Sequence, residues 1–209
     1  MRSKRLLLLA AMVLSACGGG TKRTEEAPRP VQAPEVFRAK FETTKGNFVV
    51  EVHRDWAPNG ADRFYQLVSE GFYDEAKFFR VVRNFVAQWG IHKDPKVNRL
   101  WAQREIADDP VKESNVRGTL TFAARGPNTR TTQVFLNLRD NTSLDKSGFA
   151  PIGKVVEGME NVDKLSFVYG DIAPMGPGPD PKLAQAEGNA YFERTWPRLD
   201  TMQRVTIER

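Results

Sequence analysis

The chain has 209 residues, 31 Lys plus Arg against 26 Asp plus Glu, and 40% hydrophobic residues, enough to build a compact domain with a real core. No stripe of basic residues interleaved with aromatics occurs, which excludes nucleic-acid binding. A single cysteine, Cys17, excludes an intramolecular disulfide, and His53 and His92 lack partner ligands at metal spacing, which excludes a metal site and places both histidines on the surface.

Arg2, Lys4 and Arg5 precede the apolar run from Leu6 to Leu14, followed by Ser15-Ala16-Cys17. This is the layout of a secretory signal peptide, and the run is shorter than the roughly 20 residues a membrane-spanning helix needs. Residues 1–16 are therefore expected to be cleaved on export. Leu14-Ser15-Ala16-Cys17 resembles the bacterial lipobox, which implies that Cys17 becomes the lipidated first residue of the mature chain. More than one acyl chain on one residue gives durable anchoring where a single chain is marginal. Gly18 in place of an aspartate points to the outer membrane. Residues 17–35, with three consecutive glycines and then Pro28, Pro30 and Pro34, have no apolar period and are expected to form a tether. Removing residues 1–16 leaves 28 basic against 26 acidic side chains, so the high isoelectric point owes much to the export signal.

Residues 36–209 are expected to form the folded domain. Phe37–Thr43 and Asn47–His53 alternate in hydropathy around Thr44-Lys45-Gly46, a hairpin pattern. Pro58 opens a helical spacing through Ala61, Phe64, Leu67 and Val68 that Gly71 closes. Phe78–Val82 and Phe85–Trp89 read as strands. Between Ile91 and Arg117, Pro95 and Pro110 break any period, which predicts an ordered excursion without regular structure. Gly118–Ala123, Gln133–Leu138 and Phe149–Val155 return to strand character, and Met159–Phe167 has helical spacing. Ala173–Pro181 is expected as a loop, Leu183–Arg194 as an added helix, and Thr201–Ile207 as a last strand completing a barrel.

Two blocks far apart in sequence place polar side chains at strand spacing among aromatics. Phe78-Phe79-Arg80-Val81 and Phe85-Val86-Ala87-Gln88 form the first; Gly126-Pro127-Asn128-Thr129 and Gln133-Val134-Phe135 form the second. Burying an arginine and two glutamines is costly unless each finds a partner, so together the blocks describe an apolar pocket with polar guides. In this order they resemble the core of the cyclophilin family of peptidyl-prolyl cis/trans isomerases, from about Phe41 to about Met159. The resemblance implies a mainly β fold: a closed eight-stranded antiparallel barrel capped by two helices, here with a C-terminal extension.

It also implies catalysis by Arg80, Phe85 and Gln88, with substrate bound by Val86, Ala123, Ala124, Gln133, Phe135, Leu144 and Phe149. Proline-containing polypeptides are the implied partners, bound by a monomer without cofactor or metal. The chemistry is consistent with that set. Rotation about a peptide C–N bond costs about 18–20 kcal/mol because conjugation is lost, so a catalyst needs only a site that binds the twisted amide better than the planar one. Arg80 is the natural donor to the nitrogen lone pair that twisting creates, being always charged and rich in donors.

Five positions depart from the family pattern. Ser143 stands where many members carry an aromatic ahead of Leu144-Asp145, Phe149 replaces histidine or tyrosine, Ala124-Arg125 replace an asparagine and a small residue, and Trp89 replaces a glycine. The first predicts weak cyclosporin binding. Arg125 and Arg130 suit substrates with an acidic residue before proline. The expected function is X–Pro isomerisation in exported proteins, at the periplasmic face of the outer membrane. The alternative is a low-activity proline-peptide-binding module or holdase chaperone.

Overall fold

The computed structural model describes residues 31–208; the expected signal peptide, Cys17 and most of the tether lie outside them. The first hairpin joins β1 (Val36–Thr43) to β2 (Phe48–His53), and Phe37, Ala39 and Phe41 alternate inward as the period of two requires. Helix α1 (Pro58–Ser69) carries proline in its first turn and buries Ala61, Phe64, Leu67 and Val68. Its first amides are not left open, because Asp109 accepts the N–H groups of Asn59 and Gly60 at 3.0 and 2.9 Å. Two short strands follow, β3 (Arg80–Val82) and β4 (Val86–Trp89).

The stretch after Ile91 is more regular than its prolines suggest. Helix α2 (Pro95–Trp101) starts at Pro95, capped by the Asp94 carboxylate on the Lys96 N–H at 2.7 Å. Proline here opens a helix instead of breaking one, and seven residues are too few to display a period. Strands β5 (Thr119–Phe122), β6 (Val134–Asn137) and β7 (Pro151–Glu157) lie within their expected spans to within two residues, with a 3-10 turn at Thr142–Ser147 between the last two.

The expected second capping helix shrinks to one turn, α3 (Met159–Val162), because Ser166 already donates its N–H to Asp200 at 2.7 Å. The added helix is two: α4 (Pro181–Glu187) and α5 (Asn189–Thr195), broken at Gly188, whose backbone lies so close to the Lys93 carbonyl that a Cβ would collide. Strand β8 (Met202–Glu208) ends the described chain.

The strands form one antiparallel sheet in the order β3-β4-β6-β5-β7-β2-β1-β8. The closed barrel that was expected is corrected to an open, curled sheet, a half-barrel. Its edge strands β3 and β8 share no ladder and meet only through the bridge between Lys77 and Thr201, flanked by Phe78 N–H to Asp200 O at 3.0 Å and Met202 N–H to Ala76 O at 2.8 Å. With three residues, β3 is too short to extend that contact.

Inside the curl, Phe41 stacks on Phe48 at 4.5 Å, and Trp89 meets Phe41 and Phe78 edge-on at 5.6 and 5.4 Å. A second, smaller core lies outside it, where Phe79 and Ile91 pack with Ala184, Tyr191 and Phe192 of the extension, and Ile172, Trp196 and Leu199 close its margin.

Candidate active site

Strand alternation sorts the first sequence block into two faces. In β3, Val81 enters the core while Arg80 faces outward; in β4, Ala87 and Trp89 enter the core while Val86 and Gln88 face outward. Trp89, the residue that replaces a family glycine, is thus fully buried in the core and does not touch the groove. The register then lines up Arg80, Gln88, Phe135 and Thr121 as successive partners across β3, β4, β6 and β5. Cross-strand partners share a face, so residues 55 positions apart stand side by side at one site.

That face opens into a groove of about 550 Å³. Arg80, Phe85, Val86, Gln88, Ala123, Ala124, Gln133, Phe135, Leu144 and Phe149 all line it. Phe135 and Phe149 meet edge-on at 5.9 Å, and the Arg80 guanidinium lies 5.5 Å over the Phe85 ring. A directional relay connects the polar members: Arg80 Nη1 donates to Gln88 Oε1 at 3.0 Å, and Gln88 Nε2 donates to Gln133 Oε1 at 3.0 Å. The relay fixes both amide orientations and leaves the Gln133 Nε2 hydrogens to donate into the groove. Ala123 gives its N–H to the Gln133 carbonyl at 2.9 Å, so its own carbonyl is the group left for a bound backbone.

Two features of the site have no counterpart in the sequence reading. One is a buried amide network beneath the aromatic cup. Asn141 Nδ2 donates to the Phe85 carbonyl at 2.9 Å and to Asn137 Oδ1 at 2.8 Å, and Asn115 Nδ2 donates to the Phe149 carbonyl at 2.7 Å and to Asp145 at 2.8 Å. Burial raises the Asp145 pKa, but hydrogen bonds from Ser114 and Asn115 outweigh it and hold the carboxyl below its usual range. The network fixes the main chain on either side of the cup. The other feature is a wall contributed by the loop after α3: Ile172, Ala173, Pro174 and Met175 line the groove, with the Ala173–Pro174 peptide bond cis, and Asp171 pairs with Arg80.

Other expectations are adjusted. Arg130 is not free to meet an acidic substrate residue: it is buried and paired with Asp109 at 3.0 Å and Asp108 at 3.2 Å, which leaves Arg125 as the exposed cation of the two. Neither histidine is a free surface group. His53 stacks on Trp56 at 4.4 Å, and His92 is half-buried, its Nδ1 accepting the Asp94 N–H at 2.9 Å. Among the described residues no group of three or more His, Cys, Asp or Glu is arranged to hold a metal ion.

Residues 38–178 match the family model described as cyclophilin type peptidyl-prolyl cis-trans isomerase. The chain belongs to the cyclophilins. The match spans most of the chain and both halves of the groove, including the Asp171–Met175 wall. Among relatives, a peptidyl-prolyl cis-trans isomerase of Acinetobacter baylyi is 34% identical, with 62% of this chain and 71% of that protein covered. Peptidyl-prolyl cis-trans isomerase B of Escherichia coli is 32% identical, with 61% and 83% covered. A crystal structure of a cyclophilin-type isomerase from Cryptosporidium parvum superposes with a TM-score of 0.61 at 20% identity, covering 83% of this chain and 98% of that one, a likeness of fold. The same parasite protein has been crystallised in the presence of the dipeptide Ala-Pro.

Proposed function

We propose that this cyclophilin accelerates rotation of X–Pro bonds in exported polypeptides, with Arg80, Phe85 and Gln88 as its catalytic residues. The observation that carries the reading is the Arg80 guanidinium, fixed at the rim of a cup made by Phe85, Val86, Phe135, Leu144 and Phe149. A proline ring fills such a cup, and the Gln133 amide and the Ala123 carbonyl can hold the peptide backbone beside it. As the amide twists, its nitrogen becomes pyramidal and gains a lone pair that an Arg80 N–H can bind; the planar ground states offer none. A charge-assisted hydrogen bond in a sheltered groove strengthens on the way to the transition state, and each 1.4 kcal/mol so gained is about a factor of ten in rate.

The test is exchange NMR on an Ala-Pro tetrapeptide. The parent should accelerate exchange and Arg80→Ala should lose about two decades or more of that acceleration. Peptide binding without acceleration would instead identify a proline-binding module.

The cellular setting belongs to the same proposal. Residues 1–16 act as the export signal, Cys17 as the lipidated residue and residues 17–35 as the tether that holds a monomeric isomerase domain, residues 36–209, off the membrane. The basic start, the apolar run and the small residues before Cys17 support this reading. The outer membrane, facing the periplasm, is the proposed location. Labelling cells with radioactive palmitate should mark the protein, and Cys17→Ser should abolish the label and release the domain to the soluble fraction. A Cys17→Ser protein that stays labelled would refute the anchor.

A further inference from the structure

We propose that Asp171, carried by the loop after α3, is a positioning residue for Arg80. This rests on the assignment of Arg80 as the catalytic donor. The carboxylate meets the guanidinium side-on, with Arg80 Nε donating to Oδ1 at 2.7 Å and Nη2 to Oδ2 at 3.3 Å. An arginine has five N–H bonds. Asp171 takes two, Gln88 takes one on Nη1, and two remain, one on each terminal nitrogen. Asp171 and Gln88 thus grip the fork from two sides and still leave donors for a substrate nitrogen.

The loop folds tightly around Asp171, through both its carboxylate and its main-chain carbonyl. Asp171 Oδ1 also accepts the Ile172 N–H at 2.8 Å, and the Asp171 carbonyl accepts the Gly178 N–H at 2.8 Å. A Cβ at Gly176 or at Gly178 would lie 2.6 Å from that same carbonyl oxygen, so glycine is needed at both positions for the loop to fold this tightly.

Adjacent residues anchor both partners. Phe79, next to Arg80, and Ile172, next to Asp171, enter the same second core, where Phe79 stacks on Phe192 at 6.2 Å. Burying one side chain from each pair holds the other two together at its edge. A free arginine samples many rotamers, and fixing one such side chain is worth about three- to tenfold in an equilibrium or a rate.

In the full chain, Asp171→Asn keeps an acceptor for the Ile172 N–H but removes the charge and one acceptor of the fork. The expected result is a fall of about three- to tenfold in kcat/KM on the Ala-Pro tetrapeptide, carried by kcat with KM held, and a melting temperature close to the parent's. Asp171→Ser carries the same expectation and serves where the first variant does not fold. Two readouts separate positioning from a merely structural role. The Arg80 Nε–H resonance, assigned by its disappearance in Arg80→Ala, should be slowly exchanging in the parent and fast in Asp171→Asn. In an Arg80→Ala background, Asp171→Asn should change the rate less than twofold.

Equal or higher activity in Asp171→Asn overturns the inference, as does an equal loss in the Arg80→Ala background. If Arg80→Ala itself leaves the rate unchanged, the assignment of Arg80 fails and the inference with it. If Arg80→Ala slows exchange and Asp171→Asn does not, the inference alone falls.

Discussion

Two side chains tie the stability of the domain to pH. His92 has a pKa below the usual histidine value because burial disfavours its charged form, and its Nδ1 accepts the Asp94 N–H only when unprotonated. Asp145 sits below the usual carboxylate value, as described above. For both, the folded pKa is depressed, so the stabilisation is complete above the unfolded pKa and is lost as pH falls through the folded one. Melting temperature should decline in two steps on acidification, the first beginning near about pH 6.5 and the second near about pH 4. His92→Asn, whose amide oxygen can replace Nδ1, should remove the first step; a first step that persists would show that another group causes it. At this scale the sequence was informative where residue type and spacing coincide. Arg80, Gln88 and Gln133 are legible because an arginine and two glutamines cannot sit idle among phenylalanines; the other seven groove residues are legible only through the family resemblance. Asp171 is not, since a carboxylate just ahead of a Pro/Gly loop has no pattern to give it away, and its partner lies 91 positions upstream.

Element boundaries depend on forces that periodicity does not register. The long strands β1 and β2 and helix α1 follow their apolar spacing closely, because each buries one face along its length, whereas β8 buries only Met202 and Val205 on either side of a register shift. Helix α2 is too short to show a period, and the break between α4 and α5 is set by the Lys93 carbonyl, a contact across the extension. The aromatics Tyr191, Phe192 and Trp196 were the available signal that the tail builds its own core against Phe79. Phe192→Ala should cost about 3–5 kcal/mol if that core melts with the rest of the domain. It should also slow isomerisation, since Phe79 and Arg80 are consecutive. Calorimetry and the tetrapeptide assay measure both, and a destabilised variant with full activity would disconnect the second core from the groove.

For the molecule as a whole, the curl of the sheet was partly legible and its closure was not. Periodicity gives the eight strands, and the family resemblance implies their curved antiparallel arrangement. Whether its edges join depends on the length of β3 and on the backbone around Lys77 and Thr201, neither of which has a hydropathy signature. The order of strands carries a consequence for biogenesis. β1, the first strand made, lies between β2 and β8, the last, with Arg38 opposite Glu208. While the chain emerges, β1 can pair on one side through a local hairpin, but its other edge stays open until β8 has been delivered. A protein wired this way cannot finish folding early, because the open edge of β1 offers unpaired backbone groups to any neighbouring strand until β8 arrives.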